Sequence, residues 1–163
     1  ILIGLVGSEM CIRDRDESRL IGRCALPLTL QEKLREAPLV MLEASLEERV
    51  HHSWENYILS NYREQVALCN SDAVAFTAFA DSLRLSLGNI RKRLGGARYQ
   101  ELSKVLEAAL AAHQQGDPEP HKQWIEVLLR DYYDPMYDYQ LKSKQRHVVF
   151  CGNFTEVLQF LPR

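Results

Sequence analysis

A short basic segment holds the residues with the clearest capacity for chemistry. Four cations and one tyrosine fall within residues 91–99, and Arg84 lies two turns upstream. Cations at the end of a helix complement its dipole, although one or two charges suffice for that. Four cations beside an aromatic ring also suit a polyanion such as the phosphate backbone of RNA. Both interpretations stay open for this set, which is Arg91, Lys92, Arg93, Arg98 and Tyr99.

An amphipathic helix is predicted to position the basic segment. Its apolar residues recur at steps of three or four, which places them on one helical face. Gly95-Gly96 is then expected to end the helix, because glycine adopts the left-handed conformation without a Cβ penalty. The predicted apolar face consists of Phe76, Phe79, Leu83, Leu87, Ile90 and Leu94.

Phosphate or nucleotide binding is a second candidate chemistry. Asp16-Glu17 is an acidic pair of the kind that holds a metal–nucleotide complex in a Walker B site, although such pairs are also common on solvated turns. Arg49 lies one turn into the helix that follows a buried strand. In nucleotide-handling α/β proteins such an arginine often reaches a phosphate. A salt bridge from Arg49 to Glu48 or a neighbouring acid is the alternative.

Two apolar runs of strand type, residues 38–44 and 147–153, frame a long stretch of helical pattern. Ser45 and Glu48 form a predicted capping box after the first run, and Tyr57 is expected to face inward on the helix that follows. Pro135 is expected to open a later helix. These elements predict a parallel α/β core with an inserted helical subdomain near residues 50–130.

Four tyrosines between Tyr132 and Tyr139 are dense for a surface. One interpretation is a core contact in which the hydroxyls find partners. The other is a platform on which bases stack. The residue types alone do not separate the two.

The bulk composition limits the class of protein and the kinds of site that the chain can carry. The 163 residues are 46% hydrophobic and 26% charged, which is typical of a globular domain. The net charge of −2 means that a basic site must be a local patch on an acidic background. No apolar run has membrane-spanning length. The four cysteines stand singly, which argues against a zinc site or disulfides and predicts a reducing, cytoplasmic location.

The first fifteen residues are interpreted as non-native sequence. Residues 6–15 resemble the conceptual translation of a transposase-type sequencing adapter, so native sequence is expected to start near Asp16. A genuine N-terminal strand is the alternative. The adapter hypothesis carries the expectation that the chain is truncated.

Five stretches of the chain together carry a family resemblance: residues 16–22, 37–50, 93–99, 123–125 and 131–137. In order and spacing they resemble the tRNA 2-selenouridine synthases, over nearly everything from Asp16 to the C-terminus. The Arg-Leu-Gly-Gly and Tyr-Tyr-Asp-Pro-Met-Tyr blocks are the specific ones, whereas the acidic turn is weak alone.

The resemblance implies an α/β fold of P-loop-NTPase type, of which this chain is a mostly helical part. Family members carry a rhodanese-like domain with a catalytic cysteine, followed by a P-loop domain with a Walker A motif. They replace the sulfur of wobble 2-thiouridine in tRNA with selenium, through a geranylated intermediate, using selenophosphate and geranyl diphosphate. This chain has neither the rhodanese cysteine loop nor a GxxxxGK[ST] motif. We therefore expect it to be inactive alone, with no catalytic cysteine, metal or cofactor of its own.

The resemblance also implies roles for individual residues. The nucleotide- or phosphate-binding candidates are Asp16, Glu17, Arg19, Gly22 and Arg49. Arg91, Lys92, Arg93, Arg98 and Tyr99 become candidates for the tRNA backbone, and no protein partner or membrane is implied.

Two other functions fit the same residues. One is a nucleotide- or sulfuryl-kinase-like P-loop enzyme. The other is a structural helical interaction domain without a ligand, which predicts that the basic segment is paired internally with acids such as Glu101.

Overall fold

The computed structural model describes residues 20–21, 24–143 and 147–161, and this part of the chain is mostly helical. The chain divides into two units. One unit consists of Ile1–Ala44 together with Met136–Arg163, and the other is Ser45–Pro135. The second unit is thus inserted, in sequence, within the first.

The first unit contains a pair of parallel strands, as the sequence predicts. Leu39 is paired with Val148, and the register shifts by one residue before Val40 meets Phe150. Asn153 and Glu156 form a capping box at the start of the helix that packs on both strands. The elements described in this unit are β1 (Leu20–Ile21), β2 (Cys24–Ala25), α1 (Leu28–Glu36), β3 (Leu39–Leu42), β4 (Val148–Gly152) and α9 (Phe154–Phe160). The helix α8 (Asp134–Ser143) begins at the end of the second unit.

The second unit is entirely helical. Ser45 starts it with the predicted capping box, since its side chain accepts from the Glu48 amide and its own amide donates to Glu48 Oε2 at 2.8 Å. These contacts hold the pKa of Glu48 below its usual range. The elements of the second unit are α2 (Leu46–Trp54), π1 (Glu55–Ser60), α3 (Asn61–Leu68), α4 (Asp72–Asn89), α5 (Arg91–Leu94), α6 (Gly96–Gln114), α7 (His121–Leu128) and π2 (Leu129–Tyr133).

The core of the second unit confirms the predicted apolar face of α4. Phe79 and Ile58 are fully buried, and Phe76 and Ile90 pack partly buried against the same cluster. Tyr132 and Tyr133 also pack on it, with their rings 4.9 Å apart, so these two tyrosines are core contacts. None of the helices in the described ranges is long and apolar enough to cross a membrane.

Two local expectations were wrong, and both errors involve π-helical turns. Tyr57 is 49% exposed because it lies in π1, where the wider winding changes which residues face the core. Pro135 lies in the first turn of α8, as expected, but it does not start a separate helix, since α7 continues through π2 into α8. Within π2 the Asp134 amide donates to Leu129 O, five residues back. This wider turn accommodates the proline that follows.

A buried chain of hydrogen bonds links α6 to α7. Trp124 Nε1 donates to His121 Nδ1 at 2.9 Å, and His121 Nε2 lies 3.2 Å from His113 Nδ1. Because His121 Nδ1 accepts, neutral His121 carries its proton on Nε2 and donates to His113. Burial lowers the pKa of His121 to about 4, and it also lowers the pKa of His113, against the opposing charge of Asp117.

The histidine pair predicts that stability falls as the solution is acidified. Each folded-state pKa lies below the unfolded value of 6.5, so the unfolded chain binds more protons in that interval. The stabilisation is fully present above pH 6.5 and is lost as the pH falls towards about 4. Thermal melts from pH 7.5 to pH 4 measure this. His121→Gln, whose amide can still accept and donate, is expected to flatten the profile. An equally steep profile in His121→Gln contradicts the assignment.

Candidate nucleic-acid interface

The basic segment, residues 91–99, lies where the helical path is interrupted. The helix α4 ends at Asn89, Ile90 is the cap residue between α4 and the single turn α5, and buried Leu94 packs that turn against the core. Gly95 follows with φ +88° and ψ 153°, a conformation close to one that only glycine adopts readily. The predicted stop at Gly95-Gly96 is therefore confirmed at Gly95, although the backbone there is extended rather than left-handed helical. Gly96 already begins α6, and the predicted helix is interrupted earlier, after Asn89.

Three consecutive cations project from this break without acidic partners. Arg91, Lys92 and Arg93 are exposed, and none of them forms an ion pair with any residue that the structure describes. The Arg91 guanidinium lies 5.2 Å from the centroid of the Tyr99 ring. Glu101, the acid expected by the structural-domain hypothesis, is exposed and does not pair with them. This geometry favours an external anion as their partner.

The other cations near the segment are engaged by the protein itself. Arg84 binds Glu107 at 2.7 Å and Asp81 at 3.0 Å, so it does not extend the unpaired group. Arg98 is exposed, but its Nη1 donates to the main-chain oxygen of Asp131 at 3.2 Å. Arg130 binds the Asp131 carboxylate and holds its pKa below the usual range, with a further contribution from the charge of Arg98.

Arg49 lies in a buried ion pair, with a partner that the sequence analysis missed. Its two terminal nitrogens donate to the two carboxylate oxygens of Asp134 at 2.6 and 3.0 Å. The side chain of Arg49 is 6% exposed and that of Asp134 is 24% exposed. Arg49 Nε is buried with no hydrogen-bond partner. In this arrangement Arg49 binds a carboxylate of its own chain, 85 residues away, rather than Glu48 or solvent.

The remaining phosphate-binding candidates, Asp16, Glu17, Arg19 and Gly22, lie outside the described residues. Within the described ranges, no group of three His, Cys, Asp or Glu side chains is placed to hold a metal ion. Cys151 Sγ donates to Glu43 Oε1 at 3.0 Å, and this contact raises the pKa of the thiol. A raised pKa disfavours the thiolate that a nucleophile requires.

Gly95 and Gly96 differ in backbone conformation, so the same substitution at each position gives a prediction and its control. Gly95→Ala is expected to lower the free energy of unfolding by about 1–3 kcal/mol, because alanine is strained at that positive φ. Gly96→Ala should change stability little or raise it by up to about 1 kcal/mol, because Gly96 is helical and a Cβ there meets nothing within 4 Å. Denaturant titration compares the two. Equal effects would show that the backbone at Gly95 is not constrained.

Comparison with known proteins identifies the class and then the family. Residues 9–163 match the tRNA 2-selenouridine synthase AAA domain, which confirms the predicted P-loop-like α/β class. Curated proteins named tRNA 2-selenouridine synthase match from Hahella chejuensis (53% identity over 145 residues), Azotobacter vinelandii (48% over 147) and Pseudomonas syringae (44% over 147). The chain therefore belongs to the tRNA 2-selenouridine synthase family.

These alignments cover 89–90% of the chain but 38–40% of each relative. The chain thus spans about two-fifths of the length of the curated relatives it matches. No solved structure matches it.

Proposed function

We propose that this chain is the part of a tRNA-modifying enzyme that holds the tRNA backbone. The proposed reaction replaces the sulfur of wobble 2-thiouridine with selenium through a geranylated intermediate, with selenophosphate and geranyl diphosphate as co-substrates. Family membership and the names of the relatives support this reaction class.

The observation that carries the tRNA contact is the exposed, unpaired run Arg91-Lys92-Arg93. In a chain of net charge −2, a run without acidic partners gives a local positive potential where phosphates are attracted. The Arg91 guanidinium lies over the Tyr99 ring, and this cation–π contact favours the observed placement of the side chain. Arg98 differs from the run because one of its donors is already engaged by Asp131.

Binding of the purified chain to tRNA tests this proposal. Fluorescence anisotropy at about 0.05 M salt should show saturable binding in the range of non-specific protein–nucleic acid complexes, roughly 10⁻⁶ to 10⁻⁴ M or tighter. Duplex DNA with the same number of phosphates is the comparator for electrostatic binding that is not specific to tRNA. Absence of binding to tRNA at low salt contradicts the proposal.

A further inference from the structure

Pro135 removes a hydrogen-bond donor at a defined place in the second unit. In an α-helix the amide of residue 135 would donate to the oxygen of Asp131, four residues back, and proline has no N–H. The preceding turn, π2, is widened accordingly. The main-chain oxygen of Asp131, in the middle of π2, is thus left without its α-helical donor.

Arg98 donates to that same oxygen. Its Nη1 lies 3.2 Å from Asp131 O, and Arg98 sits in the first turn of α6, directly after Gly95. The contact links the start of α6 to π2. Asp134, three residues after Asp131, forms the ion pair with Arg49. Residues 131–134 are therefore bonded to two helices, to α6 through Arg98 and to α2 through Arg49.

We infer that Arg98 is a positioning residue, whose bond to Asp131 O holds the junction of α5 and α6 so that Arg91, Lys92 and Arg93 face one phosphate backbone. This inference rests on the proposed function, because it assumes that the basic run contacts tRNA. It assigns Arg98 a different task from its three neighbours: they neutralise phosphates, whereas Arg98 orders the backbone that carries them.

The salt dependence of tRNA binding by the full chain separates the two tasks. Each phosphate contact contributes about 0.7 to 0.9 to the slope of log K against log salt. Arg93→Met should weaken binding and lower the magnitude of that slope by about this amount. Arg98→Met should weaken binding by roughly tenfold with the slope unchanged. Arg98→Lys, which keeps a donor and the charge, should regain most of the affinity.

The outcomes distinguish this inference from the proposed function. If the wild-type chain does not bind tRNA, both are wrong. If the wild-type chain binds and Arg98→Met lowers the slope as much as Arg93→Met does, Arg98 contacts a phosphate itself and only the inference is overturned. Unchanged affinity in Arg98→Met also overturns it.

A double-mutant cycle tests the contact without tRNA. Pro135→Ala supplies an amide that can donate to Asp131 O, so the Tm decrease caused by Arg98→Met should be smaller in the Pro135→Ala background than in the wild type. Equal Tm decreases in both backgrounds would show that Arg98 does not compensate for the amide that Pro135 lacks, which overturns the inference.

Discussion

Replacing Arg91 and Arg93 together by glutamate is expected to weaken tRNA binding by roughly ten- to a hundredfold at about 0.1 M salt. Both side chains are exposed and form no ion pair within the described residues, so the substitutions remove phosphate contacts and add repulsion without disturbing a buried group. Circular dichroism melts should show a Tm close to that of the wild type. Titration of labelled tRNA with each protein measures the difference.

A matched variant distinguishes a local surface from a general charge effect. Arg63→Glu/Lys142→Glu reverses two exposed cations elsewhere and lowers the net charge by the same amount. It should weaken binding far less than the Arg91/Arg93 pair does. Equal losses in the two double variants would mean that total charge, rather than this segment, determines binding.

Breaking the Arg49–Asp134 pair is expected to give the largest loss of stability. Asp134→Asn leaves the cation of Arg49, whose side chain is 6% exposed, without a counter-charge and should lower the free energy of unfolding by about 3–5 kcal/mol. Arg49→Met should lower it somewhat less, by about 2–3 kcal/mol, because the Asp134 carboxylate is 24% exposed and keeps partial hydration. Urea unfolding followed by far-UV circular dichroism measures both.

Two further variants make this prediction specific. Arg49→Met/Asp134→Leu removes both charges and should recover much of the loss, because apolar replacement of a whole buried pair is often close to neutral. Arg130→Met breaks the exposed bonds to Glu126 and Asp131 and should change stability by at most about 1 kcal/mol. Losses that simply add in the Arg49/Asp134 double variant would contradict the pairing.

Local patterns in the sequence were sufficient to predict much of the fold. The capping box at Ser45 and Glu48, the apolar face around Phe79 and the stop at Gly95 are all confirmed, because each depends on residues within a few turns of one another. The parallel pairing of the two strands is also confirmed, and it follows from the helical stretch between them.

The contacts that organise the candidate site could not be found in this way. Arg49 meets Asp134 across 85 residues and Arg98 meets Asp131 across 33, and no spacing rule links such pairs. The π-helical turns were also missed, since Tyr57 fits an α-helical face until an extra residue widens the turn. The family resemblance includes the stretches around Arg49, Arg98 and Asp134, but it gives no contact between them.

The most direct test of the account is the salt dependence of tRNA binding by the wild-type chain. If Arg91, Lys92 and Arg93 each neutralise one phosphate, log K should fall linearly with log salt with a slope of about −2 to −3. Binding that is absent at low salt, or that is insensitive to salt between about 0.05 and 0.2 M, would contradict a phosphate-contacting role for the basic run.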